Sequence, residues 1–357
     1  TPFDNAQFLL FLTAVIKAVD EYQDLLRISA ASAGNDHRLG ANEAPPAVVS
    51  MFLGDELTEI LEAIEKDSSY DKKERVQMKI GVHVIPKFPK DTTDRNRTSP
   101  FAFTGNKFEF RMVGSSASIS EANIVLNTAV AEELKQFADQ LEGVKDFTGA
   151  LHDLIKDTIT AHKRIIFNGN GYNDAWIAEA EKRGLLNLKS TPDCLPCFLS
   201  EKNVKLFTEH GVLSETEMKS RYEIMLENYS KTINIEALTM VDMVNKDVLP
   251  AISEYVRDLT KTAIARKELI GEDGGFESDR AKKLTALEKS IYEKVTALEG
   301  MLVNSDLCDA LETAKYFRNT IFAAMQSLRV DVDMAESITA AKYWPFPTYG
   351  DLLFGVR

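Results

Sequence analysis

Three apolar series with helical spacing in the second half of the chain constrain its fold most. They span residues 241–263, 284–302 and 307–328. In each series apolar residues recur at intervals of three and four, which places them on one face of an α-helix. Long helices bury such faces against one another, so the sequence predicts a bundle or antiparallel helical hairpins. Pro250 interrupts the first series, and we expect it to kink that helix or end it early.

The first 142 residues have a different composition. They hold most of the prolines, short β-prone stretches, and loops rich in Gly, Asn, Asp and Pro, which is typical of a mixed domain. Residues 343–357 break the helical pattern with two prolines and five aromatic side chains. We therefore predict an α+β fold in three parts: a mixed domain with an antiparallel sheet at 1–142, a long-helix extension at 143–342, and a tail at 343–357. We expect the tail to pack against the body or a neighbouring subunit.

Charge and cysteine content exclude several classes of protein. The 357 residues carry 42 Lys and Arg against 55 Asp and Glu, a net charge of -13, which disfavours binding to nucleic acid or anionic lipid. The longest apolar stretch, at 8–16, is much shorter than the roughly 20 residues of a membrane span. Three cysteines suit a reducing compartment, so we expect a cytoplasmic protein. No second pair or nearby histidine follows Cys194 and Cys197, so we expect a structural or incidental role for them.

One segment is basic although the chain as a whole is acidic. Residues 87–111 hold six cations and three anions, which predicts an anion-binding region. Two β-prone runs, 100–104 and 107–111, are separated only by Gly-Asn, the signature of a tight hairpin. This turn fixes the register, so four phenylalanines at 101, 103, 108 and 110 form one apolar face. The other face carries Lys107, Glu109 and Arg111 above the small residues Ala102 and Thr104.

Both polar segments also have simpler explanations. A carboxylate between two cations on a strand is typical of an exposed salt-bridge ladder. Such a ladder contributes little to the free energy of folding. Residues 35–46 hold Arg, His and two carboxylates among Gly, Asn and Pro, so they predict a loop, and alone such a loop is an ordinary polar turn. The residues by themselves leave these alternatives open.

Together, and in this order, the segments resemble successive substrate-binding motifs of glutamine synthetase, and of its type III class in particular. Asn-Asp-His-Arg at 35–38, followed by Glu-Ala-Pro at 43–45, is similar to the family's substrate arginine and mobile flap glutamate. Asn-Arg-Thr-Ser at 96–99 resembles the segment whose arginine meets the transferred phosphoryl group. Residues 107–111 resemble the strand with a metal-binding glutamate and a substrate-binding arginine, and the helical remainder with its Trp-Pro-Phe-Pro tail resembles the type III extension.

The resemblance implies ATP-dependent ligation of ammonia to L-glutamate through γ-glutamyl phosphate. Arg38 and Arg111 would bind glutamate, where forked donors match a carboxylate. Arg97 would clamp the phosphoryl group. Glu43 would close over the site and take a proton from ammonium, since only free ammonia is nucleophilic.

The cofactors implied by the resemblance are ATP and Mg²⁺ or Mn²⁺. Glu109 would be a metal ligand, and Lys107 is a candidate for the ATP phosphates. Two departures are visible: the loop from Arg38 to Glu43 is one residue shorter than in the commoner classes, and Ala102 replaces an arginine of those classes. Because Ala102 has no guanidinium, we do not expect phosphate to be bound through all of the contacts found in those classes. The resemblance also implies a large ring homo-oligomer with active sites between subunits.

The family's other metal carboxylates do not appear in the sequence, so we expect a C-terminal half that is inactive alone. Two further hypotheses stay open. The chain could be a non-catalytic helical assembly module, since most of it is helical extension. It could also be a guanidino-kinase-type phosphotransferase, which needs arginines and a metal glutamate as well. The segment from Glu43 to Pro45 favours the ligase, because a kinase has no ammonium to deprotonate.

Overall fold

A computed structural model describes residues 5–41, 44–68, 70, 98–272, 274–305, 307 and 309–355. The chain divides into two compact units, residues 1–225 and 226–357. Both are mainly helical, and a small sheet lies in the first, so the α+β composition is as predicted. The three-part division at 142 and 342 remains a prediction beside this division into compact units.

The first unit contains three strands and most of the shorter helices. Its strands are β1 (Met51–Phe52), β2 (Phe101–Phe103) and β3 (Phe108–Phe110). Its helices are α1 (Ala6–Glu21), α2 (Gln23–Ser29), α3 (Ala33–Arg38), α4 (Asp55–Glu65), α5 (Ser120–Leu141), α6 (Phe147–His162), α7 (Asp174–Lys182), α8 (Thr191–Cys194) and α9 (Glu201–Glu209), with 3₁₀ turns at Lys163–Ile165 and Leu195–Leu199. α10 (Glu215–Met243) begins in this unit and ends in the second.

The hairpin has the register that its turn predicts. Ala102 pairs with Glu109, and the Phe pairs 101–110 and 103–108 flank this pair. Gly105 has a φ of 100°, a positive value at the first central position that a II′ turn requires. β1 adds a parallel strand beside β2, so the sheet is mixed, whereas the sequence predicted a purely antiparallel one.

The apolar face of the hairpin is only partly buried. Phe101 is buried, and its ring stacks on that of Phe108 with centroids 5.0 Å apart. Phe103, Phe108 and Phe110 are half-buried, and Phe8 of α1 covers Phe103 edge-on at 6.1 Å. The pattern therefore predicts the shared face correctly, but the four rings are less enclosed than expected.

The second unit is built from long antiparallel helices, as the periodicity predicts. Its elements are a π-helical turn at Val244–Val248, α11 (Leu249–Ile270), α12 (Gly275–Val303), α13 (Ala310–Tyr316), a second π-helical turn at Phe317–Ile321, α14 (Phe322–Ile338) and α15 (Tyr349–Phe354). α12 packs between α11 and α14. Gly271, with a φ of 71°, ends α11 in the left-handed conformation.

Pro250 does not end its helix. The chain stays helical through the π-turn, where the Leu249 N–H bonds to the Val244 carbonyl, five residues back. Pro250 has no N–H to donate to the carbonyl four residues back. The π-turn before it is wider than an α-helical turn, and the helix continues through this position. Of the two predicted outcomes, the early end is wrong, because the helix continues through the π-turn, and the kink stays a prediction.

The aromatic tail packs on its own unit where it begins. The Tyr343 ring stacks on Tyr255 of α11 at 4.9 Å, and its hydroxyl donates to Asp258 Oδ2 at 2.6 Å. Farther on, the apolar side chains of α15 are exposed. None of the helices in the described ranges has the length and apolar character needed to span a bilayer.

Candidate functional site

Arg38 lies at the end of α3, and its guanidinium reaches the residues that follow β3. Nη1 donates to the Met112 carbonyl at 3.0 Å, and Nη2 donates to the Arg111 carbonyl at 3.1 Å. Ser32 caps the helix by accepting the Asn35 N–H at 3.1 Å. The sequence predicted a loop over 35–46, but Arg38 closes a short helix that this serine starts.

The polar face of the hairpin carries the three charged side chains predicted for it. Arg111 donates to Glu109 Oε2 from Nε at 3.3 Å and from Nη2 at 3.0 Å. Lys107 Nζ lies 4.0 Å from Glu109 Oε1. The exposed fraction of the side chain is 15% for Arg111, 39% for Glu109 and 68% for Lys107. The face therefore runs from the nearly buried guanidinium of Arg111 to the exposed ammonium of Lys107.

Two residues of the predicted site, Glu43 and Arg97, lie outside the described residues. Their described neighbours are well fixed. The Gly40 N–H donates to the Pro45 carbonyl at 3.0 Å, which joins the two ends of the segment that contains Glu43. Thr98 follows Arg97, and its carbonyl accepts the Gly171 N–H at 3.1 Å.

Asp36 forms a buried anchor that sequence reasoning missed. Its Oδ1 lies 3.2 Å from Arg27 Nη2, and both side chains are almost fully buried. Its Oδ2 accepts the Thr191 N–H at 2.7 Å, and Oδ1 accepts the Thr191 hydroxyl at 3.0 Å. Arg27 also donates from Nε to the Leu188 carbonyl at 2.8 Å. The bonds of this pair to Leu188 and Thr191 join residues 161 and 155 positions apart, so no local signal could have predicted them.

The described residues fit an anionic ligand better than a metal ion on its own. No group of three or more His, Cys, Asp or Glu side chains in the described part of the chain could hold a metal. Glu109 offers one carboxylate, and it is already paired with Arg111. The cations around it suit a phosphate or carboxylate, which binds forked guanidinium donors.

The cysteines of the Cys-X-X-Cys segment are free. Burial raises the pKa of the Cys194 thiol to about 12, and burial also raises the pKa of Cys197. A protonated thiol is neither a metal ligand nor a nucleophile, which agrees with the structural role expected. Cys308 lies outside the described residues.

Comparison with known proteins identifies the family. A model of the glutamine synthetase C-terminal domain matches residues 150–267. A glutamine synthetase of Butyrivibrio fibrisolvens is 45% identical over all of this chain and 51% of its own length. This chain is a glutamine synthetase homologue. A type-3 glutamine synthetase of Dictyostelium discoideum is 41% identical over 99% of the chain, and a glutamine synthetase of Bacteroides fragilis is 37% identical over 99%. The chain spans about half the length of the curated relatives it matches, and the resemblance found in its motifs is confirmed.

The region matched by the glutamine synthetase model contributes to the surroundings of the hairpin. Gly171 lies so close to Thr98 that a Cβ at this position would meet the Thr98 carbonyl oxygen at 2.4 Å. Asn168 Oδ1 accepts the N–H groups of Leu53 and Gly54, both at 3.0 Å. The turn at residues 168–171 therefore holds the end of β1 and the segment leading to β2.

Proposed function

We propose that this chain supplies part of the active site of a glutamine synthetase, which joins ammonia to L-glutamate in an ATP-dependent reaction through γ-glutamyl phosphate. The observation that carries the proposal is the hydrogen bond from the Arg38 guanidinium to the carbonyl of Arg111, whose own side chain pairs with Glu109. The relatives that match the whole chain, all named glutamine synthetases, support it.

Glutamate binding follows from the donors that Arg38 retains. The contacts of Arg38 use both hydrogens of Nη1 and one of Nη2, so Nε and one Nη2 hydrogen have no acceptor among the described residues. Two parallel N–H groups on one edge match the two oxygens of a carboxylate. The same guanidinium contacts the Arg111 carbonyl, and the charge of the Arg111 side chain is partly offset by Glu109. We assign Arg38 and Arg111 to the carboxylates of L-glutamate.

Phosphoryl transfer requires positive charge near the developing negative charge. We propose that Arg97 contacts the transferred phosphoryl group and that the exposed Lys107 ammonium contacts the ATP phosphates. The bond between Thr98 and Gly171 supports the role of Arg97, because it fixes the backbone directly after that residue. We propose that Glu43 accepts a proton from ammonium, which frees the lone pair that attacks the acyl phosphate and displaces inorganic phosphate.

Glu109 is proposed as one oxygen ligand of Mg²⁺ or Mn²⁺, with further ligands from outside the described residues. The cation would offset phosphate charge. Because the relatives are about twice as long as the matching stretch, we expect this chain alone to form no glutamine. The same family relation supports two further proposals, a cytoplasmic location and a ring of identical subunits.

The proposal is tested by measuring glutamine formation from glutamate, ammonia and ATP by the complete gene product. Glu109→Ala and Arg97→Ala should each lower kcat/KM at least a hundredfold, since each removes a charge that acts on the reacting groups. Glu227→Ala is the matched control, because Glu227 forms an exposed pair with Lys231 on α10 and should leave the rate unchanged.

Two results would contradict the proposal. Glutamine formation that survives both Glu109→Ala and Arg97→Ala would remove these residues from the site. Phosphorylation of a guanidino compound, or no ATP-dependent reaction by the complete protein, would favour the phosphotransferase or the assembly module instead.

A further inference from the structure

Asn35 makes the only side-chain contact to the Arg38 guanidinium among the bonds of the described residues. Its Oδ1 accepts Arg38 Nη1 at 3.0 Å, and its Nδ2 donates to the Met112 carbonyl at 2.8 Å. Arg38 Nη1 donates to the same carbonyl at 3.0 Å. The three groups therefore form a closed triangle of hydrogen bonds, and this triangle fixes the plane of the guanidinium.

The asparagine is itself rigidly held. It is buried, and its second Nδ2 hydrogen bonds to the Ala30 carbonyl at 2.6 Å. The next residue, Asp36, ties the same helix to Thr191 and Arg27. Every hydrogen-bonding group of the Asn35 side chain is thus satisfied, and the side chain of the next residue anchors the same helix.

We propose that Asn35 is a positioning residue for substrate binding: it holds Arg38 so that the Nε and Nη2 edge faces the carboxylate of L-glutamate. A long, flexible arginine side chain loses much rotamer freedom when it binds a ligand. Asn35 removes most of this freedom before the substrate arrives, so its effect falls on glutamate affinity. This inference rests on the proposed function.

The test compares Asn35→Ala with Asn35→Asp in the complete protein. Asn35→Ala removes the acceptor for Arg38 and should raise both the KM and the directly measured Kd for glutamate roughly tenfold, with the KM for ATP and kcat changed less than twofold. Asn35→Asp keeps the acceptor and the shape, so its glutamate Kd should lie closer to wild type than that of Asn35→Ala.

Asn203→Ala is the matched control for a purely structural effect. Asn203 is also buried, and its Nδ2 donates to Asp24 Oδ2 at 2.8 Å and to the Cys197 carbonyl at 2.7 Å. We expect this variant to lower the thermal midpoint about as much as Asn35→Ala while leaving the glutamate Kd unchanged.

Several outcomes would overturn the inference. An unchanged glutamate Kd in Asn35→Ala would do so, and so would equal losses in Asn35→Ala and Asn35→Asp, because the carbonyl contacts would then be what matters. If Asn35→Ala does not fold, Asn35→Ser replaces it, since its hydroxyl is too short to reach Arg38; failure of both to fold makes Asn35 a structural residue only. A wild-type protein that makes no glutamine contradicts the proposed function, whereas a failure confined to the variants contradicts only the role of Asn35.

Discussion

At the scale of single residues, Glu133 on α5 is the most unusual carboxylate outside the hairpin. Its side chain has no exposed surface, and it forms an ion pair with Lys17 of α1. The pKa of Glu133 is raised to about 7, mainly by burial and also by the nearby carboxylates Glu21 and Glu132, while Lys17 opposes the shift. The folded chain therefore holds a proton on Glu133 at pH values where the unfolded chain has lost it.

This proton makes the stability of the chain depend on pH. Because the pKa of Glu133 is higher in the folded state, its contribution to stability is present below about pH 4.5 and is lost as the pH rises to about 7. Glu133→Gln should remove this part of the pH dependence of stability. The free energy of unfolding should therefore fall less between pH 5 and 7.5 in the variant than in the wild type. Urea unfolding at the two pH values measures it, and identical slopes in variant and wild type would contradict the assignment.

Sequence reasoning predicted some site residues at this scale and missed others. Lys107, Glu109 and Arg111 share a face because strand alternation and a two-residue turn are local properties. Asn35 was read as part of a polar loop, because its partner Met112 lies 77 residues away and is chosen by tertiary packing. Roles for Glu43 and Arg97 came only from family resemblance.

At the scale of elements, two glycines should respond in opposite ways to the same substitution. Gly105 has a positive φ that alanine rarely adopts, so Gly105→Ala should lower stability by roughly 1–2 kcal/mol. Gly300 lies inside α12, where an added Cβ would meet nothing within 4 Å. Gly300→Ala should raise stability by up to about 1 kcal/mol, because alanine favours helix. Urea midpoints of the two variants test this, and a stabilising Gly105→Ala would contradict the turn assignment.

Two predictions of secondary structure were wrong for the same reason. A proline at 250 and a polar stretch at 35–46 are both local signals against a helix. The helix from Glu215 onward survives through a bulge at Val244–Val248, since its apolar face continues on both sides. α3 forms because Ser32 caps it and Asp36 anchors it to residues of a distant segment. In both cases packing outweighs local preference.

At the scale of the whole molecule, each compact unit has its own apolar core. In the second unit, Leu298 of α12 is completely buried. Leu298→Ala should cost roughly 2–5 kcal/mol, because a cavity is left in the core. Hydrogen exchange should then accelerate in residues 226–357 and change little in residues 5–225. Uniform acceleration along the chain would show that the two units unfold as one.

The anchor formed by Arg27, Asp36 and Thr191 has a consequence for shortened forms of the protein. A polypeptide cut before residue 188 would keep every charged side chain of the hairpin and would lose the Leu188 carbonyl and Thr191. The Arg27–Asp36 pair would then lack most of its hydrogen-bond partners in the interior, at a cost of several kcal/mol. The helical region is therefore needed to anchor α3, and a protein truncated there should hold Arg38 less firmly against the residues that follow β3.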